Sequence, residues 1–313
     1  MTARFGRRRP HHTAWLSVAR HQDRSEAIID EVTAKVGGSA GSDDDGLAAP
    51  EIVRDVLPPR IVAVGPFRVS DERADELVVR LAKGAVDCLG SRPFLAYALH
   101  VGGLNDRGDR AFVEAMGRAD VVYADGMSVV LLARLAGASR LQRAGTTDIG
   151  WGVLRALSAA LGRPARVALV GGPDGLTARA GAVLAADAGV QVVASEHGYH
   201  DNWDGVLERV AAARPDLFIV GLGAPREMKW VEAHRGALPD CLVMTCGGWF
   251  GFLTAREKRA PGWMQSGGLE WAYRLTQAPR RLAGRYVRGA GTTAMLAVPL
   301  VRVRLSPARS RQS

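Results

Sequence analysis

The chain has 313 residues, 47% apolar and 23% charged, which is ordinary globular usage and excludes a collagen, a coiled coil and a mainly disordered chain. Its formal charge of +9 is uneven: Thr254 to Ser313 hold twelve Arg/Lys against two Glu, a net of +10, and the rest hold 29 basic against 30 acidic, a net of −1. A neutral body with a basic end directs that end at an anion (nucleic acid, anionic lipid or a phosphorylated substrate), and three cysteines exclude a disulfide framework and suit a reducing compartment.

Residues 1–58 read as a poorly ordered extension. Arg4, Arg7, Arg8 and Arg9 precede no apolar run, so they do not make a secretory signal, and Gly37 to Gly46 has the composition of a flexible linker. From Arg60 the chain alternates. Apolar, β-rich runs predict strands at Ile61–Val64, Phe94–Leu99, Val121–Tyr123, Val167–Val170, Val190–Ala194, Leu217–Val220 and Leu242–Thr245. Between them the pattern predicts helices at Asp71–Cys88, Arg110–Gly117, Met127–Leu135, Asp148–Leu161, Gly175–Ala188, Asn202–Ala213 and Glu227–Arg235, with further helical signals at Gly268–Gln277 and Pro279–Val287. Continuous apolar strands, each followed by a helix, predict an α/β, Rossmann-like, mostly parallel sheet with helices on both faces. The chain divides into the extension, a core over 59–267 and a basic helical appendage and tail over 268–313. Cys241 and Cys246 fall in or beside a buried strand and read as core sulfurs. The longest apolar run, Ala294 to Val301, contains Pro299 and is far short of the ~20 residues of a membrane span. A cytoplasmic protein, held peripherally on a membrane surface, is the expectation.

Ligands of such sheets sit at the carboxyl ends of the strands, so the turns there carry the functional signal. They are Ala124-Asp-Gly-Met127, Gly171-Gly-Pro-Asp174, Glu196-His-Gly-Tyr-His200, Gly221-Leu-Gly-Ala-Pro-Arg226 and Cys246-Gly-Gly-Trp-Phe250. Gly171, Gly172, Gly221, Gly223, Gly247 and Gly248 let backbone N–H groups approach an anion at helix starts, which points to a nucleotide diphosphate; ordinary tight turns are the alternative. No Walker-type Gly-x-x-x-x-Gly-Lys-Ser/Thr and no Gly-x-Gly-x-x-Gly is present, which disfavours an ATPase and a dehydrogenase. His197 and His200 in a loop, and Asp43 to Asp45 in the linker, are the only hints of metal ligands, so no metal is expected.

Asp125 is the candidate catalytic base. It follows a strand and precedes a helix, where it either caps that helix or takes a proton from a hydroxyl nucleophile. Arg143-Ala-Gly-Thr-Thr-Asp148 adds a cation, two hydroxyls and a second carboxylate, with Thr147 or Asp148 alternatively a plain cap. Arginines recur from Arg259 through Arg274, Arg281, Arg285 and Arg288, interleaved with Trp263, Trp271, Tyr273 and Tyr286. That mixture suits phosphate and a lipid headgroup layer, and less specifically single-stranded nucleic acid. Glu270 and Arg274, four apart, read equally well as a helix-surface ion pair.

Together these segments resemble the WecG/TagA/CpsF family of bacterial glycosyltransferases over about Arg60 to Arg288. The resemblance is carried by Ala124-Asp-Gly-Met127, Arg143-Ala-Gly-Thr-Thr-Asp148, Gly221-Leu-Gly-Ala-Pro225, Arg259-Ala-Pro261, Leu269 to Leu275, Pro279-Arg and Arg285-Tyr286. It implies inverting transfer of a sugar (an N-acetylmannosamine, its uronic acid or a related hexose) from a UDP-sugar to an undecaprenyl-diphosphate-linked acceptor in cell-surface polysaccharide synthesis, without an Asp-x-Asp metal. On this reading Asp125 is the base. His100, Asn105, Arg143, Thr147, Asp148, Arg281, Arg285 and Arg288 face the acceptor. Gly171, Gly172, Tyr199, Gly221, Gly223, Pro225, Arg226, Glu227, Gly247 and Gly248 face the nucleotide sugar. The chain departs from the family at Pro225-Arg-Glu-Met228, where many members have Pro-Lys-Gln-Glu, at Gly251, where many have Asp, and at Tyr97 to Asn105; Glu227, His100 and Asn105 are the candidate substitutes. The expected partners are the UDP-sugar, the lipid-linked acceptor and an anionic membrane surface, with no nucleic acid; a homo-oligomer is compatible. A non-catalytic module that binds polyprenyl phosphate or anionic lipid is the alternative function.

Overall fold

The structure, a computed structural model, describes residues 58–254, 260–261, 264, 270–277 and 279–305. The N-terminal extension and its linker, the Arg259 end of Arg259-Ala-Pro261, Trp263 and the last arginines lie outside the described residues.

The chain begins with a hairpin: β1 (Arg60–Val64) and β2 (Phe67–Asp71) pair antiparallel through a turn at Gly65 (φ +60°). This corrects two expectations, since Ile61–Val64 was expected to join the parallel sheet and Asp71 to open a helix. Phe67, Val69 and Asp71 are buried on one face, and on the other Arg68 is exposed while Ser70 is covered. Asp71 holds the hairpin down: its carboxylate accepts from the amides of Ser139, Arg140 and Leu141 at 3.0, 2.9 and 2.7 Å.

Six parallel strands follow, separated by helices. In chain order these are α1 (Ala74–Cys88), β3 (Phe94–Leu99), α2 (Val101–Asn105), α3 (Arg110–Gly117), β4 (Val121–Ala124), α4 (Met127–Leu135), α5 (Thr146–Leu161) and β5 (Arg166–Gly171). Then come α6 (Leu176–Ala188), β6 (Gln191–Glu196), α7 (Asp204–Ala212), β7 (Leu217–Gly221), α8 (Arg226–Ala233), β8 (Leu242–Thr245) and α9 (Trp249–Leu253). The strand order is β4-β3-β8-β7-β5-β6, all parallel, as the apolar strands foretold. Alternate strand residues supply two cores. Leu95, Tyr97 and Leu99 face the hairpin, α3, α4, α7 and α8, whereas Phe94, Ala96 and Ala98 face α1, α5, α6 and α9. With both faces covered, the inner strands are almost wholly apolar, whereas the edge strand β6 carries Gln191, Ser195 and Glu196.

Two C-terminal helices, α10 (Glu270–Gln277) and α11 (Pro279–Leu305), complete the fold. The second runs on past Val287, where the helical signal of the sequence fades, and keeps Pro299 within it. Gly289 permits its close approach to α2, because a Cβ there would lie 2.2 Å from Val101 Cγ2. Asn105 Nδ2 donates to Arg285 O at 3.1 Å, and Leu296, Ala297 and Leu300 pack against the first core. Contacts with the core, which propensity does not register, extend this helix.

Candidate active site

Parallel strands all end on one side, and the carboxyl ends of β4, β3, β8 and β7 surround a cleft of about 450 Å³. Asp125 lies there, directly after β4. Its amide donates to Leu99 O at 2.9 Å, and Ala144 N donates to Ala124 O at 2.8 Å, which brings the start of α5 beneath the carboxylate. The N-cap of α4 is Gly126, with no side-chain cap, so Asp125 is not spent on capping. Gly145, the N-cap of α5, has φ −61°, which any residue adopts. Glycine is needed there for space. A Cβ would lie 2.8 Å from Asp125 Oδ1, 3.0 Å from Asp148 Oδ2 and 3.3 Å from Arg143 Nη1. Three side chains singled out from the sequence thus meet over one glycine.

Arg143 donates to Asp148 Oδ2 at 2.6 Å and to Glu270 Oε2 at 3.4 Å. Glu270 Oε1 also accepts from Arg274 Nη2 at 2.7 Å, and the Arg274 guanidinium lies 4.8 Å from the centre of the Phe252 ring. Arg285 enters from α11 beside His100; a Cβ on Gly102 would meet the His100 ring at 2.6 Å and Arg285 Nη2 at 2.8 Å. Burial pushes the Asp125 pKa up to about 7; Arg274 and Arg143 pull it down, and Asp148 and Glu270 push it further up. Burial works against the charge of Arg274, but Glu270 and Asp125 more than offset it. His100 Nδ1 accepts from Gly102 N at 2.9 Å and so carries no proton there. Burial, then Arg285 and Arg274, lower its pKa to about 4, which leaves a neutral ring with its proton on Nε2.

Of the other expected residues, Thr147, Gly223, Gly247 and Gly248 line the same cleft. Asn105 and Arg288 do not: the first holds the backbone of α11, and the second is exposed. Nothing is described of the Arg281 side chain. The turns after β5 and β6 and the Arg226 end of the turn after β7 form a mutually tied rim whose residues do not line the cleft. Gly198 N donates to Gly172 O at 2.8 Å, and Arg226 Nη2 donates to Gly198 O at 3.3 Å. Gly171 (φ +144°) leaves no room for a side chain, since a Cβ would lie 2.3 Å from Gly221 O. Tyr199 projects from this rim, 67% exposed. Pro225 is the N-cap of α8, and Glu227 lies buried behind it.

Of the two readings open for Glu270 and Arg274, the helix-surface ion pair does not hold: Glu270 is 8% exposed and both line the cleft. Spacing of four finds the pair and cannot find the third member, Arg143, which folding alone brings there. Trp249 was also unassigned. It lines the cleft and packs on Gly150, where a Cβ would lie 2.3 Å from its ring. Thr146 is 2% exposed and holds Tyr123 Oη at 2.8 Å and Thr245 O at 3.3 Å. Trp271 and Tyr286 meet edge to face, 5.8 Å between ring centres, and also line the cleft. His197 and His200 stack 3.8 Å apart, and among the described residues no three of His, Cys, Asp and Glu converge as metal ligands. A sequence model of the glycosyl transferase WecG/TagA/CpsF family matches residues 67–308.

Proposed function

The chain belongs to the WecG/TagA/CpsF glycosyltransferase family, and from that premise we propose that it moves a sugar (an N-acetylmannosamine, its uronic acid or a related hexose) from a UDP-sugar to an undecaprenyl-diphosphate-linked acceptor, with inversion, in cell-surface polysaccharide synthesis. The observation that carries this reading is Asp125 in a cleft that also holds Arg143, Arg274 and Arg285. A carboxyl with a pKa of about 7 is matched to taking a hydroxyl proton near neutrality. The acceptor oxygen attacks the anomeric carbon, Asp125 takes its proton, and the bond from that carbon to the UDP oxygen breaks. Three guanidinium groups, two of them held in place by Glu270, meet the charge that develops on the departing diphosphate, a role that needs no metal. The neutral Nε2–H of His100 is a further donor to sugar or phosphate oxygen. The rim of Gly171, Gly172, Tyr199 and Arg226 offers backbone, an aromatic face and a cation to the nucleoside.

The lipid-linked acceptor is supported by the outer face of α11. Val287, Met295, Val298 and Val301 are exposed along it, the last three between the exposed Arg288 and Arg302, and Met127 and Leu131 of α4 are exposed as well. No described helix is long and apolar enough to cross a membrane. An apolar strip bounded by cations can instead lie in an anionic leaflet. The test is UDP release across a panel of UDP-sugars with a short-chain polyprenyl-diphosphate acceptor, with and without EDTA. One donor should support release that requires acceptor and survives EDTA. Absence of release from every donor, or a strict metal requirement, overturns the corresponding part of the reading.

A further inference from the structure

The turns after β7 and β8 bring two backbone amides to one atom. Glu227, in the first turn of α8, is 2% exposed, and its Oε2 accepts from Gly223 N at 2.9 Å and from Gly247 N at 3.2 Å. Gly223 (φ +79°) and Gly247 (φ +53°) both take the left-handed conformation, which turns their amides inward at no steric cost. The same two turns press on each other nearby: a Cβ on Gly221 would lie 2.7 Å from the Phe250 ring and 3.0 Å from Cys246 Sγ. Gly223, Ala224, Gly247 and Gly248 then face the cleft, whereas Glu227 stands behind them and does not line it.

Glycine turns ahead of helices suggest amides waiting for an anion. Here an acceptor is already present, supplied by the chain: the Glu227 carboxyl oxygen. Burial pushes the Glu227 pKa up to about 7, the amides of Gly223, Gly247 and Leu222 work against that rise, and Asp125 adds to it. A buried carboxylate is costly, and these hydrogen bonds are what offset its cost.

We infer that Glu227 is a positioning residue: it fastens the turns after β7 and β8 into one wall of the cleft, so that the amides of Gly223 and Gly247 are committed to the fold and not to the donor's diphosphate. The diphosphate charge then falls to Arg143, Arg274 and Arg285. The inference rests on the nucleotide-sugar reading for its second half only.

The test compares Glu227→Gln with Glu227→Ala in the full chain. Both are neutral, so the lost charge cancels, and they differ in whether an oxygen remains to accept the two amides. UDP affinity of Glu227→Gln should stay within ~3-fold of wild type, and that of Glu227→Ala should fall at least ~10-fold, the scale of a lost buried hydrogen bond. Amide exchange at Gly223 and Gly247 should accelerate in Glu227→Ala and stay slow in Glu227→Gln. If Glu227→Ala binds UDP as tightly as Glu227→Gln, or more tightly, the freed amides serve the nucleotide and the inference is overturned. Equal exchange in the two variants overturns the fastening itself. Should wild type bind no UDP, the nucleotide reading fails, and the exchange comparison still decides whether Glu227 fastens the turns. Glu227→Met, similar in volume but without an oxygen, replaces Glu227→Ala if the smaller side chain unfolds the protein.

Discussion

Asp125 and Gly145 are one device at the scale of the residue. The carboxyl keeps its proton to about pH 7 when folded, against a value near 3.8 when free. Between those pH values the native state binds more protons than the unfolded state, so this group removes stability as pH rises through the window and the loss is complete above about 7. Asp125→Asn has no such proton to lose. Its melting temperature should match wild type near pH 3 and exceed it increasingly toward pH 8, while turnover falls by at least ~10²-fold and the acid limb of the pH–rate profile disappears. Near-normal turnover in folded Asp125→Asn would remove the base from the mechanism. Gly145→Ala makes the complementary test. Its backbone suits alanine, so the fold should be kept with only a modest fall in melting temperature. The new methyl would stand 2.8 Å from Asp125 Oδ1 and must displace the carboxylate. Turnover should drop on the order of 10- to 100-fold, the usual result of a small misplacement; an unaffected rate would show that the carboxylate position is not critical.

Among the elements, α11 links packing to chemistry. Gly289 sets its distance from α2, and one turn earlier Arg285 and Tyr286 line the cleft. Gly289→Leu should therefore lift the helix, withdraw both side chains and abolish most turnover. Amide exchange should quicken along α11 and stay slow in β5 and β7, whose pairing does not involve it. Gly284→Ala is the control, because nothing lies within 4 Å of a Cβ there. It should leave the rate unchanged and favour the helix by up to about 1 kcal/mol. Loss of activity in the control as well would mean that the helix, and not its seat on α2, is what tolerates no change.

For the molecule as a whole, charge and exposed apolar surface fall at the same end. The excess positive charge lies after Thr254, and the apolar strip of α11 lies within that stretch. Binding to anionic vesicles should exceed binding to neutral ones and should weaken as salt rises, with about 1 kcal/mol contributed by each cation near the surface. Val287→Asp with Met295→Asp should reduce vesicle binding without altering UDP affinity, since neither side chain lines the cleft. Equal binding to both vesicle types would leave the basic end as a solubilising surface.

The sequence by itself determined the parallel sheet and singled out Asp125 and Arg143, which the fold brings into one cleft. Continuous apolar strands and glycines at their carboxyl ends are local signals, legible without knowing what lies opposite. Tertiary structure decided the rest. The β1–β2 hairpin needs Asp71 to meet three amides of a loop that follows α4. Glu270 and Arg274 become part of the cleft only because Arg143, far earlier in the chain, is folded against them. The amides of Gly223 and Gly247 read as free anion ligands until Glu227 is found beneath them. Each of these depends on a partner distant in sequence or on which way a turn faces. Spacing records what is close along the chain, whereas burial and hydrogen bonding depend on what is close in space.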